Sequence, residues 1–563
     1  MAQCASMGLD ELRILDGPSP DLLGPAVRLT FSELAEDMDL PALVDRVAQA
    51  AGVFVGPAVQ RDRSGAEPVV VAFPWEHDGH AEALGRAVGQ IVDTGPEVPL
   101  DERIAAAVVL VRGAEPGDPP RLVTPSVPAI AVTGTNGKTT TTRLIGRIAA
   151  EAGLKAAWSS TDGVYVAGEQ VEAGDWSGPG GARQVLATPD LGLAILETAR
   201  GGLMLRGMGV SRVDAAVFTN ISADHLGLQG INTVEQLAWA KATVVRVVRP
   251  GGWAVLNAED PLVRRWYDEG EGRPWFFALD PDGEGAEFAR AHGSVLATVV
   301  DGRMVVEGWD LAPDGSSCPA AGARLDLGAL LDMPVTLAGL SRENIANALA
   351  AASGALAVGL PVEGVRGGLA DFRPDTSNSP GRMNMWSVPA ADGGSATVIL
   401  DYAHNEAGAE ALMRVAVGLR GPGAALHASI GNAGDRTDEG IQELARIVGA
   451  AADTVQLAAK SEYLRGRTQE QIDRLQRAGL AAVGVAPVEE ALDEQAGLRG
   501  LLARARDGDV LAMMVHQDRP GCEAILAEVG ATPDDPAAIR AKVAAAEPRP
   551  AGHHTRVRPT PKS

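Results

Sequence analysis

The stretch AIAVTGTNGKTTTTRLI, residues 129–145, carries the densest chemistry in the chain. An apolar run stops at a glycine, crosses a short polar turn with one lysine, and continues in helical periodicity. A strand, a glycine turn and a helix N-terminus together make an anion site, because backbone N–H groups point outward and the helix dipole favours negative charge. In TGTNGKTT, Gly134 and Gly137 let the backbone bend close to a ligand around Thr135 and Asn136. Lys138 brings a compact charge to the β- and γ-phosphates of a nucleotide, and the Thr139 hydroxyl, followed by Thr140, can bind Mg2+. Lysine is scarce here. Lys138, Lys155, Lys241, Lys460, Lys542 and Lys562 are the six in 563 residues, and the other strong cations are arginine, so each lysine needs its own reason.

Other candidates follow at strand ends. Glu197 closes the apolar run LAILETA, where a carboxylate faces a ligand at the carboxyl edge of a sheet. The run DAAVFTNI leads into TNISADHLGL, which sets His225 beside an acid. Lys241 lies 16 residues after His225 in EQLAWAKATVVRVV, a helix whose ordinary positive charge is written as Arg246.

The elements that must hold these residues read as α/β. Residues 1–122 form a small mixed domain, with strand-like VRLTF and VVVAF and helical LPALVDRVAQAAG and HAEALGRAVGQIV. The proline-rich GAEPGDPPRLVTPSVP marks a boundary. Residues 123–376 alternate short apolar strands with helices, the pattern of a mostly parallel sheet covered on both faces; its strands include AIAVTG, LAILETA, DAAVFTNI and GGWAVLN. SVLATVVDGRMVVEG reads as an antiparallel hairpin turning at Asp-Gly, and RENIANALAAASGALAVG as the closing helix. Residues 377–546 repeat the alternation with TVILDYA, ALHASIGNA, TVQLAAK and DVLAMMVH, and residues 547–563 read as a disordered tail.

Composition excludes several classes. A net charge of −24 and a pI near 4.8 argue against a nucleic-acid-binding surface. Cys4, Cys318 and Cys522 are scattered, which fits a reducing compartment without structural zinc. The N-terminus has no basic region followed by an apolar core, and no run reaches the roughly 18 apolar residues of a membrane helix, so the expectation is a cytoplasmic protein. His77 and His80 in WEHDGH have metal-like spacing but are read as solvated at a helix start.

The general P-loop has a glycine where Val132 stands; the shorter GTNGKT form resembles the ATP loop of the Mur ligase superfamily. The resemblance implies a central P-loop ATPase domain followed by a Rossmann-like Mur ligase domain. It implies metal ligation by Thr139, Glu197 and His225. It also implies that Lys241 is carried as a carbamate that helps hold a second Mg2+; a primary amine can lose a proton and capture CO2, whereas guanidinium stays protonated. NAEDP (Asn257), RENIAN (Asn344), PGRMN (Arg382) and DYAHNEAG (Asp401 and His404) match positions that grip the nucleotide in this family, although the histidine usual before Asn344 is replaced here by Arg342 or Glu343. The phrases STDGVYVAGEQVEAGDWSGPGGAR, ETARGG, GDRTDEGIQELARI and KSEYLRGR are closer to the cyanophycin synthetase branch than to the peptidoglycan ligases. In that branch an ATP-grasp domain precedes the Mur-like half; here PPRLVTPSVP joins the flanking parts directly.

The resemblance therefore implies one ATP-dependent ligation, joining a small-molecule or peptide carboxylate to an amino-acid amine through an acyl phosphate. Asp435, Asp438 and Glu462, around KSEYLRGR and Lys460, could pair with a basic substrate side chain such as arginine; capping and solvation explain them almost as well. The rivals are a peptidoglycan- or folate-type ligase and a nucleotide-binding regulator that ligates nothing. A homo-oligomer is compatible with either, and no residue stands out as the acceptor of the amine's proton.

Overall fold

The structure is a computed structural model and describes residues 8–32, 34, 38–53, 55–61, 68–94, 97–224, 226–292, 294–308, 324–488 and 490–546. His225, Cys4, Cys318 and the tail at 547–563 lie outside the described residues. The chain is mixed α/β and builds three sheets.

The first sheet has four antiparallel strands in the order Leu9–Leu15, Ala26–Phe31, Val69–Pro74, Val59–Arg61. Helices Leu40–Ala51, Asp78–Asp93 and Leu100–Arg112 share its core through Val44, Val47, Leu84, Val88 and Val111 packed with Leu29, Phe31 and Phe73. The first of these helices starts where the Asp39 side chain accepts from Ala42 N and ends at Gly52 in the left-handed region.

The central sheet has eleven strands. Seven are parallel, in the order Val295–Val300, Arg273–Phe277, Val248–Asn257, Val213–Phe218, Ala129–Thr133, Leu193–Glu197, Ala156–Ser160. Every residue of Ala129–Thr133 and Leu193–Glu197 is buried, as expected for parallel strands covered on both faces. Helices Lys138–Glu151, Arg342–Ala357 and Val362–Asp371 cover one face through Leu144, Ile148, Leu349, Leu356 and Leu369. Val185, Leu203, Val245, Val263 and Ala286 cover the other. The expected hairpin is present: Val295–Val300 pairs with Arg303–Glu307, and Asp301 (φ 49°) and Gly302 (φ 70°) turn the chain as a twist-matched two-residue loop.

Strand order reverses at the middle of this sheet. From Ala129–Thr133 the chain crosses to Ala156–Ser160, returns to Leu193–Glu197, and then passes to the opposite side at Val213–Phe218. Such a reversal opens a crevice at the carboxyl ends of the strands. The third sheet has five parallel strands, Glu490–Ala491, Thr454–Ala458, Leu426–Ile430, Val510–Met514 and Ser395–Asp401, with Asn384–Pro389 and Thr532–Pro533 antiparallel at one edge. Among the described residues no helix is long and apolar enough to cross a membrane.

Candidate active site

A cleft of about 1110 Å³ opens between the central and third sheets. Thr135, Asn136, Gly137, Lys138, Thr139, Thr140, Glu197, Lys241, Asn257, Asn344, Arg382, Asp401 and His404 all line it, although they are spread over 270 positions of the chain. Gly134 sits just behind, with its carbonyl accepting from Lys241.

The glycines of the turn are required by shape. Gly134 (φ 147°) would place a Cβ 1.9 Å from Thr219 Oγ1, and Gly137 (φ 85°) would place one 2.1 Å from Asn347 Oδ1. The turn is pinned to the next strand end: Thr135 N donates to Asn220 O at 2.8 Å and Asn136 N to Asn220 Oδ1 at 2.9 Å. Thr219 Oγ1 donates to Asn136 O at 2.6 Å. Helix Lys138–Glu151 then begins without a side-chain cap, so its first turn opens on the cleft as an anion-binding end. Lys138 Nζ donates to Thr135 O at 2.9 Å, which holds its charge over the turn.

Beside the turn lie two buried groups that solvent does not serve. Glu197 is 2% exposed, and neither carboxylate oxygen makes a hydrogen bond of good geometry, although the Thr139 hydroxyl lies close by. Burial raises its pKa, opposed by the charges of Lys138 and Arg382 and by the Thr139 hydroxyl. Lys241 is 4% exposed at the end of helix Val234–Lys241, whose start is fixed by a Thr233–Gln236 capping box. Its Nζ donates to Gly134 O at 2.7 Å. Burial first and the nearby Lys138 charge second hold its pKa well below that of an ordinary lysine, with Asp224 partly offsetting them.

The third sheet contributes the opposite wall. Arg382 Nη1 reaches Asp162 Oδ2 at 3.1 Å, and its Nη2 donates to Thr139 Oγ1 at 3.3 Å. His404 Nδ1–H donates to Tyr402 O at 3.0 Å. Asn344 and Asn257 both line the cleft but use their side chains locally: Asn344 Oδ1 accepts from Asn347, and Asn257 Nδ2 ties its strand end to Thr219 O at 2.8 Å.

Asp401 is 9% exposed; its Oδ2 accepts from Met383 N at 2.8 Å, and burial pushes its pKa up to about 6. A carboxyl raised in this way holds its proton in the folded state at pH values where the unfolded chain has lost it. Its stabilisation is therefore present at low pH and fades as pH rises through 6. Asp401→Asn keeps an acceptor for Met383 N–H and does not titrate. Between pH 4 and pH 7 the native chain is expected to lose up to about 3 kcal/mol relative to this variant, measured by urea unfolding at several pH values.

Several residues of the site escaped the sequence reading. Asn220 follows a strand end as visibly as Glu197 does, but an asparagine in a loop carries no chemical signal. Asn405 caps helix Glu406–Leu419 and donates through Nδ2 to Asn136 Oδ1 at 3.2 Å across the cleft. Arg143 holds Asp162 at 3.0 Å, and Arg436 pairs with Asp224 from the facing wall.

The acids expected to meet a basic substrate each have a distinct place. Asp435 lines the cleft and pairs there with Arg465 at 2.9 Å, whereas Asp438 pairs with Arg467 and neither it nor exposed Glu462 is among the lining residues. Lys460 also lines the cleft wall but is 1% exposed and ion-paired with Glu494.

Two family models match this chain: the Mur ligase middle domain over residues 132–303, and the Mur ligase glutamate ligase domain over residues 381–514. Together they cover more than half of it. The chain belongs to the Mur ligase family. It is 33% identical over 438 residues to the cyanophycin synthetase of Crocosphaera subtropica, a match over 77% of this chain and 47% of that protein. It is 32% identical over 491 residues to the cyanophycin synthetase of a Synechocystis species, over 86% of this chain and 52% of that protein. The chain thus spans about half the length of these curated relatives. Among solved structures, a pseudomurein peptide ligase type C from Methanothermus fervidus superposes with a TM-score of 0.50 at 17% identity, over 77% of this chain and 86% of that one, a likeness of fold. The Mur ligase middle-domain match takes in the glycine turn from Val132 onward, Glu197 and Lys241, and the glutamate ligase match takes in Arg382, Asp401 and His404.

Proposed function

We propose that this Mur ligase family member is an ATP-dependent ligase that activates a carboxylate as an acyl phosphate and joins it to an amine, releasing ADP and phosphate. The observation that carries this reading is the Glu197 carboxylate, buried without a hydrogen bond of good geometry within the reach of Lys138 and Arg382 at the mouth of a glycine turn. A buried ionised carboxylate needs a cation or hydrogen bonds to offset its lost hydration. A divalent ion, for which we take Mg2+, fits there.

Among the described residues no three His, Cys, Asp or Glu side chains gather as ligands. The reading assigns Glu197, Thr139 Oγ1 and the sequence-assigned His225 to metal ligation, with a carbamate on Lys241 helping to hold a second Mg2+. Burial holds the Lys241 pKa well below that of an ordinary lysine, which favours the neutral amine whose lone pair can bond to CO2 while one proton leaves to solvent. The carbamate adds the second anionic ligand, and its remaining N–H still has Gly134 O as acceptor. When bound, the ion neutralises charge on the phosphates.

The protein's own groups do the rest. Lys138 and the uncapped first turn take the β- and γ-phosphates, with Asn344, Asp401 and His404 around the nucleoside. A substrate carboxylate oxygen attacks the γ-phosphorus and ADP departs. Lys138 and Arg382 offset the charge that spreads over the transferring group. The amine nitrogen then bonds to the acyl carbon, the carbon–oxygen bond to phosphate breaks, and the amine loses a proton. Arg382–Thr139 and Asn405–Asn136 draw the two walls together, which keeps water from the acyl phosphate.

We take the carboxylate to be of aspartate type and the amine an amino acid, arginine among them, with the reaction in the cytoplasm. Incubation with ATP, Mg2+, the twenty amino acids and acidic peptides is expected to give a condensed product by mass spectrometry, with phosphate release that needs both substrates. Products formed only from peptidoglycan or folate precursors would move the chain to another branch of the family. ATP turnover that ignores both substrates would identify a nucleotide-driven regulator and sink the ligase.

A further inference from the structure

Among the described residues, none before Thr135 lines the cleft. The first sheet and its helices dock instead on the back of two short helices that do. Helix Arg200–Leu205 starts three residues after Glu197 and brings Arg200 to the cleft, and helix Val234–Lys241 ends on Lys241. The two pack on each other through Met204, Leu237 and Ala240.

Contact from the N-terminal unit is close and backbone-led. Asp16 N donates to Arg206 O at 3.0 Å, and Met208 N donates to Pro18 O at 2.7 Å. Gly17 lies so near that a Cβ there would fall 2.1 Å from Met208 O. Further along, the Arg61 guanidinium sits 4.9 Å from the ring centroid of Trp239, two residues before Lys241. Arg61 is steadied by Asp21 at 3.5 Å, and Asp21 also holds the buried Arg28 at 3.0 Å.

We propose that Arg61 is a positioning residue for Lys241, and that the N-terminal unit is a bracket that seats this two-helix wall against the glycine turn. The inference rests on the ligase reading for its functional consequence, but not for its structural one. A helix of eight residues has little stability of its own, so tertiary contacts must set its seat. The Lys241 Nζ to Gly134 O contact at 2.7 Å leaves little room for error in that seat. Cation–π contact with a partly desolvated tryptophan is strong enough to matter to a two-turn element. The Asp21 network fixes the cation from behind, so the helix is gripped from outside the domain that contains it.

The test uses the full chain with Arg61→Met, which keeps the stem and removes the charge, and Arg61→Lys, which keeps a cation. Hydrogen exchange of the amides in 234–241 is expected to quicken by about 5- to 30-fold in Arg61→Met, with strand Ala129–Thr133 unchanged and Arg61→Lys close to native. Mn2+ titrated into the ADP-loaded protein should bind about fivefold or more weakly in Arg61→Met. Native exchange in 234–241, equal acceleration in strand and helix, or faster exchange with unchanged Mn2+ affinity would each overturn the proposal. If the exchange and Mn2+ results hold but the native chain makes no condensed product, the ligase reading fails and the bracket stands.

Discussion

Lys241→Arg is expected to lower kcat by about 10²–10³-fold or more, while the KM for ATP changes far less. Arginine carries a positive charge on a somewhat longer stem, so a lysine that served only as a cation would be replaced at the modest cost of overpacking. Guanidinium does not deprotonate in a protein and forms no carbamate, so the site would hold a cation where the reaction needs an anion. The sign of the local electrostatics inverts, although Gly134 O can still find a donor. Lys241→Ala separates this from packing: it opens space beside the turn, and a short carboxylate such as acetate or propionate should restore part of the lost turnover by standing in for the carbamate. Intact mass after bicarbonate treatment should show one CO2 on the native chain and none on either variant. Arginine at 241 with native turnover, or alanine that ignores carboxylates, would leave the carbamate without support.

How far the sequence could be read depended on whether partners are local. TGTNGKTT is legible because strand, turn and helix lie within a few residues, and each residue type has its own task. Glu197 stands at a strand end and Lys241 is scarce in a chain that otherwise writes arginine, and both line the cleft. The pairs that close the cleft were not found. Asn136 and Asn405 are 269 residues apart, and the partners in Asp224–Arg436 and Arg61–Trp239 are likewise remote. Each of these residues, read alone, looks like any polar or aromatic residue of a loop or helix face.

Missed strands have a similar cause. Glu169–Ala173, EQVEA, is exposed along its whole length, and Val59–Arg61 is three residues long, so neither buries enough apolar surface to leave a pattern. Asn384–Pro389 directly follows PGRM, whose Pro380 and Gly381 read as a loop. By contrast the Asp301–Gly302 hairpin was fully legible, since positive φ at two successive residues selects those residue types.

Lys460 shows how a polar neighbourhood misleads. KSEYLRGR looks like a solvent-facing loop, and Ser461 and Glu462 are indeed exposed, but Lys460 turns inward to Glu494. Its Nζ also donates to Met514 O at 2.9 Å, while the Glu494 carboxylate collects the backbone N–H groups of His516, Gln517 and Asp518. The pair thus fixes the loop after strand Val510–Met514, which carries His516 to the cleft.

Lys460→Met is expected to cost about 3–5 kcal/mol, because it leaves a buried carboxylate with hydrogen bonds but no counter-charge. Lys460→Arg should cost less, about 1–3 kcal/mol, since charge is kept and the penalty is overpacking. The pocket is tight: a Cβ at Gly431 would already lie 2.5 Å from Lys460 Cε. Urea unfolding followed by hydrogen exchange in Thr454–Ala458 and Val510–Met514 should show the loss in the third sheet, with Ala129–Thr133 keeping native protection. If Lys460→Met unfolded at the native midpoint, the ion pair would be a contact without energetic weight, and scarcity of lysine would lose its force as a guide to this half of the chain.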